Sequence, residues 1–235
     1  MALINHAKKE VVFKVVYCGP GLGGKTTNLE YIHSRIKGEQ RGDLVSLSTS
    51  TDRTMFFDFL PVNAPLANGY QSKFQLYTVP GQVMYNATRQ LVLKGVDGLV
   101  FVADSMPDRL EENVRAFRTM EENVERNQGS LASIPLVLQY NKRDLPGAVA
   151  VERLEASLNA GSRRLPAYEA VASEGYQVFA VLNAVSQMIL QRFYKVTGMA
   201  AAGAPAGEGQ GATGVRAAAA GSTSSSVAAA KGLAR

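Results

Sequence analysis

Nine residues, GPGLGGKTT, carry the densest chemistry in the sequence. Gly19 and Gly24 bracket four residues and are followed by Lys25 and Thr26, which is the spacing G-x-x-x-x-G-K-[ST]. Glycines at Gly19, Gly21, Gly23 and Gly24 leave backbone N–H groups free to curl around phosphate oxygens, and Lys25 adds a charge that reaches the terminal ones. The Thr26 hydroxyl is an oxygen ligand suited to Mg²⁺, and Thr27 leads into the amphipathic run TTNLEYIHSRIK. Such a loop works only between a strand and a helix. VVFKVVYCG before it and the helical pattern after it meet that condition.

A second cluster closes an apolar run, IPLVLQYNKRD, with Asn141, Lys142 and Asp144 in the spacing N-K-x-D. The Asp144 carboxylate only accepts hydrogen bonds, so it suits the N1–H and 2-amino group of guanine. The bare N1 of adenine would leave it facing another acceptor. The Lys142 stem can lie along the base plane, and Asn141 can tie this loop to the phosphate loop. Taken alone, NKRD is more simply a polar turn after a strand. Downstream of a phosphate loop it points to GTP and GDP.

With both clusters in place, the chain resembles the Ras-like small GTPases and, more closely, the bacterial MglA family of cell-polarity GTPases. The resemblance rests on GPGLGGKTTN, LVSLSTSTDRTMFFDFLP, LYTVPGQVMY, LKGVDGLVFVADS and QYNKRDLP, and covers about residues 10 to 195. It implies a Ras-like P-loop fold over 1–198, slow GTP hydrolysis with Mg²⁺, and a roadblock-type activating homodimer resembling MglB. Effectors and an exchange factor would complete the cycle, and placement at a cell pole would come through such partners.

Within the resemblance, TVPGQ stands where Ras-like proteins carry D-x-x-G-Q. Thr78 takes the aspartate position, Gly81 the glycine that meets the γ-phosphate, and Gln82 the glutamine that orients the attacking water. A threonine supplies a hydroxyl but no charge, which implies a weaker hold on the metal. MglA-like proteins share this threonine. The first switch falls in STSTDRTMFF, with Thr54 as Mg²⁺ and γ-phosphate sensor and Arg53 as an arginine finger in cis. Sequence alone does not choose among Thr49, Thr51 and Thr54, and Arg53 alone reads as a solvated loop arginine. EAVASEG replaces the usual S-A-K segment, leaving the Ala172 and Ser173 backbone N–H groups to meet the base.

The elements that must position these residues are legible as apolar runs alternating with amphipathic ones. VVFKVVYCG, TMFFDFLPV, FQLYTVPG, GLVFVADS and PLVLQYNK predict an α/β domain with a mostly parallel sheet of about six to seven strands flanked by helices. FFDFLPV and KFQLYTV are separated by the turn-rich NAPLANGYQS, so they are either two members of that sheet or one antiparallel hairpin at its edge. Val178, Leu182, Val185, Ile189 and Phe193 predict a core-covering helix from about Tyr176 to Val196.

Composition narrows the function classes. The net charge of +5 is spread among acidic residues without a dense basic run, which argues against nucleic acid. No apolar run approaches the roughly 20 residues of a membrane span, MALINHAKKE lacks a signal-peptide core, and the single Cys18 reads as a buried strand residue. A cytoplasmic protein is expected. Residues 199–235 are nearly all Ala, Gly and Ser, which predicts a disordered tail or a segment that orders on a partner. Two rivals stay open: an ATP-dependent enzyme using Asp104 of GLVFVADS as a Walker B carboxylate, and a nucleotide-bound module that hydrolyses nothing.

Overall fold

A computed structural model describes residues 2–48, 56–66, 69–80, 86–161 and 163–198. Thr49, Thr51, Arg53, Thr54, Gly81, Gln82 and the tail at 199–235 lie outside them. The strand β1 (Leu3–Asn5) pairs antiparallel with β2 (Glu10–Cys18), which leads through the phosphate loop into α1 (Lys25–Arg35). After β3 (Val45–Ser48), β4 (Phe56–Pro65) and β5 (Gln71–Thr78) come α2 (Asn86–Leu93), β6 (Gly98–Asp104) and α3 (Leu110–Gln128). Then follow β7 (Leu136–Asn141), α4 (Val151–Leu158), β8 (Ala167–Glu169) and α5 (Val178–Thr197).

The sheet runs β3-β4-β5-β2-β6-β7-β8, with β1 beside β2. The β5–β2–β6–β7–β8 portion is parallel throughout. The FFDFLPV and KFQLYTV runs form an antiparallel pair, with Phe59 opposite Tyr77 and Val62 opposite Phe74. They do not end the sheet, because β3 pairs outside β4. The last helix begins two residues later than its periodicity predicts, with Tyr176 bridged antiparallel to Val171 ahead of it.

Both sheet faces are covered, which explains why the central strands read as continuous apolar runs. Along β2, Phe13, Val15 and Tyr17 join the core under α1 and α5, while Val16 and Cys18 join the one under α2, α3 and α4. The strand β6 is buried along its whole length and divides in the same way. Leu29 and Ile32 of α1 and Val181, Leu182 and Val185 of α5 seal the first layer; Leu93, Met120, Val124 and Leu154 seal the second. Truncating Leu29, which is fully buried, to alanine would cost about 2–5 kcal/mol. Among the described residues, no helix is long and apolar enough to cross a membrane.

Candidate functional site

From β2 the chain crosses to the β5 side of the sheet, and from the adjacent β6 it runs the other way to β7, so the crevice between the carboxyl ends of β2 and β6 is a topological switch point. Open α/β sheets bind ligands there. The phosphate loop occupies this position. Gly19 has φ +139°, and a Cβ on it would run into the Val102 carbonyl of β6; Gly24 has φ +99°, and a Cβ there would strike the Asn141 amide. Neither position admits a side chain. Gly24 also caps α1 without any side-chain acceptor, so the first N–H groups of that helix remain suited to an anion. Lys25, only 7 % exposed, folds over the loop and donates to the carbonyls of Gly19, at 3.2 Å, and Pro20. Burial pushes its ammonium down to about 8, against opposing pulls from Cys18, Glu112 and Asp58.

Thr26 and Thr78 converge on a carboxylate that sequence reasoning did not single out. Thr26 Oγ1 donates to Asp58 Oδ2 at 2.6 Å, Thr78 Oγ1 donates to the same oxygen at 2.9 Å, and Ser46 Oγ donates to Oδ1 at 2.7 Å. The Asp58 N–H in turn donates to Thr78 Oγ1 at 2.9 Å. Asp58 thus brings to the phosphate-loop threonine the negative charge that Thr78 lacks. Its sequence signal was a lone carboxylate inside FFDFLPV, an apolar run next to the segment whose aspartate is replaced. Hydroxyl and carboxylate oxygens are the donor set of a hard cation, and Mg²⁺ takes few protein ligands because it keeps waters and phosphate oxygens. Thr26 and Asp58 fit that demand.

On the other side of the loop, Asn141 is buried and bridges two segments. Its Nδ2 donates to the Gly23 carbonyl and its Oδ1 accepts from the Ala172 N–H, both at 2.9 Å. Behind it, Gln139 Nε2 donates to Asn28 Oδ1 at 3.0 Å and Asn28 Nδ2 donates to the Gly24 carbonyl at 2.8 Å, fixing the start of α1 to β7. Gly24, Thr27, Asn141, Lys142, Asp144, Ala172 and Ser173 line one cavity of about 200 Å³, with Leu22 and Leu145 completing its wall. The two leucines were not expected there. Ala172 faces the cavity while its N–H serves Asn141, so the backbone donation expected of it goes to the bridge and not to a base.

Asp104 belongs to this side of the molecule as well. Its carboxylate accepts from Lys142 Nζ at 2.6 Å and from the Met106 N–H at 3.1 Å, and its side chain is 2 % exposed. The carboxylate bonded to Thr26 is Asp58, and a Walker B role for Asp104 finds no support in this geometry. Gly81, Gln82, Arg53 and Thr54 lie outside the described residues.

Comparison with known proteins agrees with this architecture. The profile of the ADP-ribosylation factor family matches residues 2–196. The chain is 50% identical over 195 residues to "Mutual gliding-motility protein MglA" of Myxococcus xanthus strain DK1622, which covers 83% of this chain and 99% of that protein. It is 31% identical over 106 residues to "ADP-ribosylation factor-like protein 4D" of Mus musculus, covering 45% of this chain and 50% of that protein.

Proposed function

This chain belongs to the ADP-ribosylation factor family, and from that premise we propose a Mg²⁺-dependent GTP switch in which Asp58 supplies the charge on the metal side. It is an MglA-like small GTPase that hydrolyses GTP. The single observation that carries the site assignment is the Asn141 bridge, which ties the phosphate loop to the segment behind the cavity that Asp144 lines. That arrangement lets one loop read phosphate while its neighbour reads base.

Thr26 and Asp58 would hold Mg²⁺, Asp58 directly or through water, and the ion would neutralise charge on the β- and γ-phosphate oxygens. Lys25 pairs with the same oxygens, which offsets the cost of its burial. Gln82 orients the attacking water, Arg53 offsets charge developing on the transferring phosphoryl group, and Thr54 senses the γ-phosphate. Residues 1–198 form the GTPase domain and 199–235 the tail. The MglA likeness supports a role in gliding motility and cell polarity, with a roadblock-type homodimer resembling MglB as activator and with state-dependent effectors at a pole.

Competition binding tests the reading. GTP and GDP should displace labelled GDP at concentrations where ATP does not, and Asp144→Asn should move the preference toward xanthine nucleotides, because its amide donor then faces the 2-oxo group. Equal displacement by ATP, or an unchanged guanine preference in Asp144→Asn, overturns the base assignment.

A further inference from the structure

The phosphate loop is gripped from outside by a residue that none of its motifs includes. Arg109 closes the short turn Pro107–Arg109 ahead of α3, and its Nη2 donates to the Gly21 carbonyl at 2.7 Å across 88 residues of sequence. The same guanidinium pairs through Nη1 with Glu112 at 2.7 Å, and its Nε lies 4.0 Å from Asp104 Oδ2. That Asp104 oxygen also takes Lys142, so a chain of contacts runs from the loop through Arg109 and Asp104 to the base side. We propose that Arg109 is a positioning residue that pins the phosphate loop at Gly21 and thereby sets how long bound nucleotide is retained; the proposal rests on the guanine-nucleotide reading above.

The physical argument begins with the loop itself. Gly21 has no side chain with which to anchor, and Leu22, next to it, is 88 % exposed and sits at φ +60°. A non-glycine residue in that region costs roughly 1–2 kcal/mol, and a contact that fixes the preceding peptide offsets part of that cost. The contact also orients a donor. A trans peptide is planar, with C=O and N–H pointing opposite ways, so fixing the Gly21 carbonyl toward α3 turns the Leu22 N–H away from α3. Backbone N–H groups of this loop are the phosphate donors in the proposed function. Only an arginine has the forked donors to serve Gly21 and Glu112 together beside Asp104. A lysine, with one nitrogen, can hold the carbonyl without the rest of the clamp.

The test is release of mant-GDP from the full chain during a chase with excess unlabelled GDP. Arg109→Ala should release it about tenfold faster or more, the loss expected for one charge-assisted hydrogen bond, and Arg109→Lys should fall between the two. The preference for guanine over xanthine nucleotides should stay at the wild-type ratio in both variants, since Asp144 is untouched. Release within twofold of wild type in Arg109→Ala overturns the proposal, as does equal acceleration in both variants with a matching drop in thermal stability. If Arg109→Ala does not fold, Arg109→Lys decides: faster release with guanine preference kept supports the clamp, and the wild-type rate overturns it. A wild-type chain that fails to bind mant-GDP overturns the nucleotide reading, and this proposal with it.

Discussion

Thr26 Oγ1 donates to Asp58 Oδ2 at 2.6 Å, joining the phosphate loop to a strand 32 residues further along the chain. Thr78 donates to the same oxygen and accepts from the Asp58 N–H, so the threonine that replaces the usual switch aspartate acts as the support of another aspartate. That carboxylate stands on β4, the strand paired with β5. Resemblance alone implied a weaker hold on the metal; in the fold, β4 returns a carboxylate to the phosphate-loop threonine.

Two substitutions separate these roles. Asp58→Asn removes the charge and should raise the Mg²⁺ concentration needed for half-maximal GTP hydrolysis at least tenfold. Thr78→Ala leaves the charge in place and removes one hydroxyl donor to it, a bond worth about 1.5–3 kcal/mol, so its shift should be smaller than that of Asp58→Asn. A Mg²⁺ titration of single-turnover hydrolysis reads both. Wild-type Mg²⁺ dependence in Asp58→Asn would remove Asp58 from the metal side.

The placement of residues marked by local spacing is legible in the sequence, and placement made by pairing across strands is not. The Gly19–Gly24 spacing with Lys25 and Thr26 carries its meaning locally, because glycine and lysine there are chosen by the backbone and by charge. Asn141, Lys142 and Asp144 share that property, and the cavity brings them together with Thr27 and Ser173. Asp58 looks locally like any outward strand residue; only its pairing with Thr26 and Thr78, 32 and 20 residues away, distinguishes it. Lys142 was assigned to a base plane, and its ion pair with Asp104, 38 residues upstream, is equally invisible to spacing. The strands β1 and β8 span three residues each, too few for alternation to register.

The chemical step is predicted to depend on residues of the two switch segments. Arg53→Ala and Gln82→Leu each remove a group needed more in the transition state than in bound GTP, so single-turnover hydrolysis should fall roughly 10²–10³-fold. GTP affinity should change less than about threefold. Hydrolysis at the wild-type rate by Arg53→Ala, with a working activator present, would return Arg53 to an ordinary surface arginine.

Asn141→Ala should damage the fold as well as binding. It strips the buried Gly23 carbonyl and the buried Ala172 N–H of their side-chain partner, at about 1–3 kcal/mol for each group left unsatisfied. Urea unfolding of the nucleotide-free chain should show a loss of about 2–6 kcal/mol, accompanied by weaker GDP binding. A loss below about 0.5 kcal/mol would mean that the two loops are held together by other contacts.

Cys18 provides a pH-dependent test of the packing beneath the phosphate loop. Burial pushes its thiol up to about 12, and the nearby charges of Lys25 and Arg89 pull it down without overcoming that effect. At pH 8 the native thiol is therefore protonated, and it is only 2 % exposed, so it should react with a disulfide reagent at least about 100-fold more slowly than in the urea-unfolded chain. The linkage has a definite sign. Above about pH 8.5 the unfolded thiol loses its proton while the folded one keeps it, so the contribution is complete below that pH and is lost as pH rises toward 12. Wild type should consequently lose stability faster than Cys18→Ala between pH 8.5 and 10.5, measured as the difference between their urea midpoints. Parallel midpoints over that window, or native labelling as fast as unfolded, would show that Cys18 is not held in the apolar layer between β2 and the α2–α3 face.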